Sequence, residues 1–463
     1  MTHDPTTSAC GEPGRLAGSA TAAPQPPGRI GGQIDYDKFL DCVHCGLCTA
    51  ACPTYLETGD ENNGPRGRIY LMRSVVDGRL ELTPRVNAHL DLCLDCRSCE
   101  TACPSGVEYG RLIEPFRASQ RRAEAARQSA RNADWFHRYI LYCLFPYAQR
   151  LRWALAPARL MQQLRLDRLL ETLGVIKILP RRLQRMQSFL PRLLPGGPPL
   201  PEFLPALGPK RARVALFTGC VADALFRHAH WATARVLQQN GCDVVVPRTQ
   251  VCCGAIHYHS GADHPALALA RANAAAFDAV GVDAVVVNVA GCGSMLKDYG
   301  QIARELEPAQ AALLAELGGL ADKVRDVSQF LAELGLIAPR GELKLRAVYQ
   351  DACHLVHAQR VREQPRDLLA QIPGLELRSI AEPENCCGAA GSYNLTEPEM
   401  SDRLARRKLA NLLAADPQVI VTGNVGCSMQ IQSALRQARR AIPVVHPMEL
   451  LDLSYRGVAF SRG

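Results

Sequence analysis

Two cysteine runs of identical spacing constrain this chain more than any other feature of its sequence. Each has the form C-x2-C-x2-C-x3-C-P, the first over residues 42–53 and the second over residues 93–104. In this spacing, which is typical of bacterial ferredoxins, three thiolates wrap a short turn around three corners of an iron–sulfur cube. The fourth is carried away on the next helix, with proline setting the chain direction. Zinc sites usually take two separate C-x-x-C pairs, so the runs predict two [4Fe-4S] clusters and an electron-carrying function.

The spacing also predicts which thiols share a cluster. In two-cluster proteins the fourth cysteine of each run binds the cluster of the other run. We therefore expect one cluster on Cys42, Cys45, Cys48 and Cys103, and a second on Cys93, Cys96, Cys99 and Cys52.

Cysteine is unusually frequent, with 19 residues in a chain of 463, which indicates either disulfides or bound metal. The first 29 residues contain no apolar stretch of the kind found in secretory signals, which favours ligated or free thiols in a reducing compartment. The longest apolar stretch, residues 139–148, contains a proline and is far shorter than the roughly 20 residues of a membrane span. We expect a cytoplasmic protein without a membrane-spanning helix.

Changes in composition divide the chain into five segments. We predict a disordered tail at 1–34 and a two-[4Fe-4S] ferredoxin-type domain at 35–110. A basic helical segment with a proline-rich linker follows at 111–212. Two α/β domains complete the chain, the first at 213–340 and the second at 341–455.

The last two segments are copies of one unit. Each opens with a β-prone run that ends in cysteine, reaches a Cys-Cys-Gly, and later reaches a Gly-Cys; equivalent cysteines are 133, 134 and 135 residues apart. Further β-prone runs (244–246 and 284–289; 375–380 and 419–422) alternate with helical stretches (266–279; 403–414). The fold class is therefore an α+β multidomain protein: a helical two-cluster unit, a helical basic linker, and two repeated α/β units with mainly parallel sheets.

Each repeat carries four cysteines at matched positions, all at predicted strand ends or loops. Open α/β sheets place ligands at the carboxyl ends of their strands, so each set is a candidate for a further iron–sulfur cluster; free buried cysteine is the alternative. The sets are Cys220, Cys252, Cys253 and Cys292 in the first repeat, and Cys353, Cys386, Cys387 and Cys427 in the second. The remaining cysteines, Cys10, Cys143 and Cys242, belong to no pattern.

Several polar residues lie close to these cysteines in sequence and are either site residues or satisfied loop residues: His257, His259, His354, Lys297 and Tyr299. The chain contains no Walker loop, no G-x-G-x-x-G and no G-x-S-x-G. We therefore expect no flavin or nicotinamide on this chain and no catalytic acid–base residues of its own.

Basic charge is concentrated in one segment. Residues 111–200 hold 17 Arg and Lys against 5 Asp and Glu, a balance of +12, so the rest of the chain sums to −4 within a total of +8. Residues 134–161 combine aromatic and leucine side chains with Arg138, Arg150, Arg152 and Arg159. Three interpretations stay open: packing against the α/β units, docking of a partner subunit, or contact with an anionic membrane surface. No nucleic-acid-reading motif accompanies the charge, so we expect no nucleic acid.

The whole arrangement resembles the iron–sulfur subunit of glycolate oxidase (glycolate dehydrogenase) over roughly residues 36–450. The similar stretches are 43–48, 52–55, 64–71, 103–107, 232–237, 252–255, 291–293, 297–300, 386–388 and 426–427. The resemblance implies that a separate FAD-containing subunit oxidises a 2-hydroxy acid, glycolate to glyoxylate, and that this subunit passes the electrons to a quinone-type acceptor. It also implies that the isolated chain is inactive, and that it works in the cytoplasm or on the inner face of the cytoplasmic membrane.

Related iron–sulfur subunits of lactate utilisation, anaerobic glycerol-3-phosphate dehydrogenase and heterodisulfide reductase share the arrangement and remain alternatives. In the heterodisulfide reductase type each Cys-Cys-Gly domain ends in C-x-x-C and holds an unusual cluster. Here Met295 and Gln430 stand where that last cysteine would be, so each repeat has four thiols rather than five. This departure argues against heterodisulfide chemistry.

Overall fold

The computed structural model of the protein describes residues 30–127, 136–166, 178, 180–193 and 197–461. Residues 1–29, most of the predicted disordered tail, and Cys10 with them, lie outside the described residues. The described chain forms a helical N-terminal unit, a helical connecting segment and two α/β repeats. The helical N-terminal region and the two repeats with mainly parallel sheets agree with the predicted fold class.

The two cysteine runs fold into a small helical unit. Its helices are α1 (Asp37–Leu40), α2 (Pro53–Thr58), α3 (Pro65–Val76), α4 (Pro84–Asp91), α5 (Ser98–Thr101) and α6 (Gly110–Arg127), with a 3-10 turn at Glu61–Asn63. Phe39, Met72, Leu112 and Phe116 are fully buried between these helices and form the core. Ile34 is also buried in this core, so packing begins before the predicted boundary at residue 35.

The connecting segment is largely helical where it is described. It contains a π-helix (Phe136–Leu144), α7 (Ala148–Ala154), α8 (Ala156–Gln163) and α9 (Arg181–Phe189). The proline-rich stretch after it was expected to be a plain extended linker, but it contributes a short edge strand, β1 (Phe203–Leu204). This strand pairs antiparallel with a strand of the first repeat, because an extended chain next to a sheet edge can satisfy its backbone hydrogen bonds there.

The first repeat alternates strands with helices. Its strands are β2 (Ala212–Phe217), β3 (Cys242–Val245), β4 (Ala284–Val287) and β5 (Val324–Asp326). Its helices are α10 (Val221–Leu225), α11 (Arg227–Gln239), α12 (Ala255–His259), α13 (Asp263–Asp278), α14 (Ala290–Lys297), α15 (Tyr299–Leu306), α16 (Ala311–Lys323) and α17 (Val327–Leu334). The sheet order is β1-β3-β2-β4-β5, with every pair parallel except that of β1.

The second repeat has the same layout. Its strands are β6 (Leu345–Tyr349), β7 (Leu375–Arg378), β8 (Val419–Val421) and β9 (Val444–Val445). Its helices are a π-helix (His354–Ala358), α18 (Gln364–Ala370), α19 (Tyr393–Thr396), α20 (Pro398–Ala414), α21 (Val425–Gln437) and α22 (Pro447–Arg456). The order β7-β6-β8-β9 is fully parallel and matches the order of β3, β2, β4 and β5.

This shared order positions the repeat cysteines. The first strand of each repeat, β2 or β6, lies between the second and the third strand of that repeat. The chain therefore leaves neighbouring central strands in opposite directions, and ligand sites form at that point on the carboxyl edge. The central strands β2, β4, β6 and β8 are apolar and buried, as expected for parallel strands covered on both faces. One apolar core runs through both repeats, and Arg235 of α11 pairs with Asp452 of α22 at 2.7 Å beside it. The two repeats therefore pack directly on each other.

Candidate functional site

The first group of predicted ligands lines a cavity near the surface of the helical unit. Cys42, Cys45, Cys48 and Cys103 lie around it, and Cys45 is exposed to solvent. Burial raises the pKa of the Cys48 thiol to about 11 and raises that of Cys42 above its usual value. These thiols are therefore protonated when no metal is bound, and binding of a metal must release their protons.

The second group lies deeper in the same unit. Cys52, Cys93, Cys96 and Cys99 line a second cavity, and the first three are buried. Burial raises the pKa of Cys96 and Cys99 well above the usual range of a thiol. Because Cys99 and Tyr109 line both cavities, the two groups are immediate neighbours.

Left-handed residues inside each run bring the sulfur atoms together. His44 and Gly46 in the first run have φ of 55° and 84°, and the equivalent Asp95 and Arg97 in the second have φ of 50° and 58°. Two such residues reverse the chain between successive cysteines, so all three side chains turn to one side. Only one of the four is glycine, so three side chains must hold an uncommon conformation through their surroundings.

The fourth cysteines of the two runs differ in the structure that follows them. Cys52 is the N-cap of α2, with Pro53 at the first helical position, as the run predicts. Cys103 is followed by turns rather than by a helix, and the next helix, α6, begins only at Gly110. The expectation that both fourth cysteines sit on a following helix is therefore wrong for Cys103, yet that residue still lines the first cavity.

Each predicted group brings four thiols to its cavity, and Cys99 of the second group also borders the first cavity. A set of four thiols suits a [4Fe-4S] cluster. A backbone donor is also available in the second, where the amide N–H of Asp95 donates to Cys93 Sγ over 3.4 Å. Amide donors to sulfur are among the features that tune such clusters. The residues present therefore fit the implied groups.

The repeat cysteines form two further close groups. In the first repeat Cys220 Sγ lies 3.4 Å from Cys252 Sγ, and Cys253 contacts Cys292. In the second repeat the matching distances are 4.0 Å between the Sγ atoms of Cys353 and Cys386 and 3.2 Å between those of Cys387 and Cys427.

All eight repeat thiols line a single cavity of about 480 Å³ between the repeats and the helical unit. Cys93 of the second ferredoxin run lines it as well. The sequence predicted two separate groups; their convergence on one cavity was not anticipated, because it depends on how the repeats pack.

Glycine is required after each cysteine pair. Gly254 and Gly388 have φ of +87° and +85°, and a Cβ on Gly388 would lie 2.7 Å from the carbonyl oxygen of Ser401. The left-handed turn directs the N–H of each glycine back to the first sulfur of its pair, at 3.4 Å from Cys252 and 3.5 Å from Cys386.

Met295 and Gln430, which occupy the positions of the absent fifth cysteines, do not face the large cavity. Met295 is buried in the core of the first repeat. Gln430 accepts a hydrogen bond from Asn394 at 3.1 Å and donates one to Ser401 Oγ at 3.0 Å. Neither lines the central cavity, so each repeat presents four thiols there.

The second ferredoxin group adjoins the second repeat. Cys96 packs in one buried apolar cluster with Cys353 and Cys386, together with Leu94 and Tyr393. The hydroxyl of Tyr393 donates to the carbonyl of Leu92 at 3.0 Å and fixes this contact. Thiol groups therefore follow one another from the exposed first cavity, through the second, to the second repeat.

A buried charge network joins the helical unit to the first repeat. Arg97 Nη2 lies 3.1 Å from Glu114 and 3.1 Å from Asp298, while His259 Nδ1 lies 3.0 Å from Glu114 and 3.3 Å from Asp95. Burial disfavours the charged imidazole, but the two carboxylates outweigh it and raise the pKa of His259 to about 9. Of these residues, only His259 was a candidate from the sequence. Ion pairs between residues far apart along the chain leave no local sequence pattern.

Of the other polar candidates, His354 lines the large cavity, whereas His257, Tyr299 and Lys297 do not. Burial lowers the pKa of His354 to about 3 and that of His257 to about 4; His354 Nδ1 lies 3.5 Å from Cys353 Sγ, and His257 stacks on Tyr142. Tyr299 donates to the carbonyl of Cys253 at 2.8 Å, which helps to fix that turn. Lys297 donates to Gln329 at 3.1 Å and does not line the cavity.

The basic segment packs on both repeats. Arg122 pairs with Asp263, Arg152 pairs with Asp223, and Arg185 pairs with Asp402 at 2.7 Å. Packing therefore accounts for part of its charge. Its α7–α8 region still exposes apolar side chains: Trp153 is 73% exposed and Leu160 is 56% exposed. Among the described residues, no helix is long and apolar enough to cross a bilayer.

The fold and the thiol groups define an iron–sulfur protein with a helical eight-cysteine domain and two cysteine-rich domains. Residues 38–107 match the family described as 4Fe-4S dicluster domain, and residues 214–297 and 347–432 match the cysteine-rich domain. Residues 132–190 match the family described as glycolate oxidase iron-sulfur subunit, linker region.

Relatives agree with these matches. The chain is 37% identical over 429 residues to the probable glycolate oxidase iron-sulfur subunit of Bacillus subtilis, covering 90% of this chain and 94% of the relative. It is 34% identical over 424 residues to the glycolate oxidase iron-sulfur subunit of Escherichia coli, covering 88% and 93%. Lactate utilization protein A of Oceanobacillus iheyensis is 30% identical over 247 residues, covering 53% and 98%. The chain belongs to the glycolate oxidase iron-sulfur subunit family and is an electron-transfer subunit of an oxidoreductase.

Proposed function

We propose that this chain takes electrons from an FAD-containing subunit that oxidises glycolate to glyoxylate and delivers them to a quinone-type acceptor. The observation that carries the proposal is the succession of thiol groups: two adjacent cavities lined by the eight ferredoxin cysteines, followed by the repeat cysteines. Such a series suits stepwise electron transfer, because each centre lies next to the following one. The substrate would bind on the partner, which is consistent with the lack of an acid–base constellation in this sequence.

The ferredoxin cysteines would hold two [4Fe-4S] clusters in the crossed arrangement. Cys42, Cys45, Cys48 and Cys103 would hold the first, and Cys93, Cys96, Cys99 and Cys52 the second. The shared walls of the two cavities support this grouping. When bound, the clusters supply one-electron chemistry; the chain spaces them, excludes water from the second and leaves the first accessible through Cys45.

The repeat cysteines would form the inner end of the series. Close sulfur contacts within each set of four, and the single cavity that both sets line, support metal binding there rather than free thiols. The two sets are Cys220, Cys252, Cys253 and Cys292, and Cys353, Cys386, Cys387 and Cys427.

Lactate oxidation is the second candidate function. It is favoured by the similarity to lactate utilization protein A, but that similarity covers 53% of this chain, against 90% for the glycolate oxidase subunit of B. subtilis. We place the chain in the cytoplasm, with the exposed apolar side chains of α7 and α8 as the contact to the inner face of the membrane.

Co-expression with the flavoprotein tests the proposal. The isolated chain should not oxidise glycolate, whereas the complex should reduce a quinone analogue with glycolate and much more slowly with lactate. Cys48→Ser should lower quinone reduction strongly, and Cys143→Ser, at a half-exposed cysteine that lines none of the three cavities, should not. Glycolate turnover by the isolated chain, or an unaffected Cys48→Ser complex, would contradict the proposal.

A further inference from the structure

Two arginines at the start of α3 lie at different thiol groups. The sequence Pro65-Arg66-Gly67-Arg68 opens this helix, and Arg66 lines the first cavity while Arg68 lines the second. The helix can start here because Gly67 has no side chain: a Cβ on it would lie 2.1 Å from the carbonyl oxygen of Glu61. One helix start therefore places one cation beside each group.

Arg66 is neutralised and partly hydrated. Its Nε lies 2.6 Å from a carboxylate oxygen of Glu61, and its Nη1 donates to the carbonyl of His44 at 2.9 Å. About a third of its side chain is exposed, 33%, so water screens the charge further.

Arg68 has the opposite surroundings. It is 1% exposed, and its Nε donates to the carbonyl of His89 at 2.7 Å and its Nη2 to Thr54 Oγ1 at 3.0 Å. Its Nη1 lies 4.0 Å from Cys52 Sγ. Within the described residues no carboxylate pairs with it. A buried guanidinium without a counter-ion is costly, so the missing negative charge must come from what the second thiol group holds.

Two arginines line the second cavity, Arg68 and Arg97. Arg97 pairs with Glu114 at 3.1 Å, whereas Arg68 has no carboxylate partner among the described residues. Arg117 approaches only the backbone of the second group, donating to the carbonyl of Cys93 at 2.7 Å, and does not line the second cavity.

We propose that Arg68 is the counter-ion of the second cluster and holds its reduction potential above the value that burial alone would give. This inference rests on the proposed electron-transfer function. Reduction adds one electron to the cluster, forms and breaks no bond, and leaves Arg68 protonated; the added negative charge is stabilised by the guanidinium. Net charge and burial both affect the reduction potential of such clusters. Here burial lowers the potential and the positive charge of Arg68 raises it. Electrons that enter at the exposed first group are therefore drawn toward the buried second group and the repeats.

Anaerobic redox titration of the purified full chain tests this, with mediators and dithionite and with spectra that separate the two clusters. The second cluster is assigned as the one whose signal Cys52→Ser removes. Arg68→Gln should lower its equilibrium constant for reduction at least tenfold, which is about 59 mV for one electron. Arg68→Lys keeps the charge and should shift it less. Arg66→Gln is the matched control: it should leave the second cluster unchanged and move the first by less than tenfold.

A second variant guards against misfolding of Arg68→Gln. Thr54→Asp keeps Arg68 but places a carboxylate beside its Nη2, and should also lower the second potential at least tenfold. An unchanged potential in Arg68→Gln, or in Thr54→Asp when Arg68→Gln does not assemble its clusters, would overturn the inference. Because no partner or substrate is needed, these outcomes concern Arg68 alone; a wild-type chain without clusters would instead refute the proposed function.

Discussion

His259→Asn removes a charged imidazole from the buried network between the helical unit and the first repeat. In the folded protein its pKa is about 9, compared with an ordinary value of 6.5. Because the folded pKa is raised, its contribution to stability is fully present below about pH 6.5 and is lost as pH rises through about 9. We expect the variant to weaken this contact at low pH and to differ little from the wild type near pH 10.

The magnitude follows from the shift. A difference of about 2.5 pKa units, at 1.36 kcal/mol per unit, amounts to about 3 kcal/mol at pH 6 and to about 2 kcal/mol at pH 7.5. His257 is a matched control on the same helix, α12. Burial lowers its pKa to about 4, so loss of its titration changes stability only below about pH 6.5.

Hydrogen exchange of the holoprotein measures the effect, because the free energy of local opening is read from amides of α12 and of residues 91–98. Spectra recorded at each pH confirm that cluster content is constant. The difference between wild type and His259→Asn should shrink from about 3 kcal/mol at pH 6 to below about 1 kcal/mol at pH 9.5. A difference that does not depend on pH, or one that His257→Asn reproduces between pH 7 and 9.5, would refute the assignment.

The crossed arrangement of the ferredoxin cysteines, the start of α3 and the exposed side chains of α7 and α8 each give a further prediction. Cys48→Ser and Cys103→Ser should remove the same cluster signal from the spectrum of the reduced protein; loss of different signals would refute the crossed arrangement. Gly67→Ala should lower the free energy of unfolding by about 1–3 kcal/mol, because its Cβ meets backbone, and a thermal melt with unchanged midpoint would contradict this. The wild-type chain should float with liposomes that contain anionic lipid at low salt, less so at 1 M salt, and Trp153→Ser with Leu160→Ser should abolish flotation; binding that ignores both salt and lipid charge would exclude the electrostatic contact.

The predictions that the structure confirms rest on local sequence patterns. The spacing of the cysteine runs predicts two thiol groups, and Cys42 and Cys93 line different cavities, since only a few residues of chain geometry decide where those sulfurs lie. The apolar runs of the repeats became buried parallel strands, and the predicted helix over 266–279 is observed as Asp263–Asp278. The duplication was readable for the same reason: its landmarks recur at nearly constant offsets.

Features that depend on packing between distant segments were not predictable. Arg97 and Asp298 form an ion pair only because the helical unit docks on the first repeat. No sequence pattern near either residue indicates this pair. The convergence of both cysteine sets on one cavity likewise depends on how the two sheets face each other. Arg68 had a weak local signal, the Pro-Arg-Gly-Arg stretch after the first run, but its lack of a carboxylate partner is visible only in three dimensions.

If this chain carries electrons away from the flavoprotein, glycolate must reduce its clusters within the complex. Glycolate is mixed anaerobically with the complex of this chain and its flavoprotein, without an acceptor, and the visible absorbance of the iron–sulfur clusters is followed in a stopped-flow instrument. The clusters should bleach at a rate no slower than steady-state turnover, and much less in the Cys48→Ser complex. Quinone reduction at the full rate while the clusters stay oxidised would contradict it.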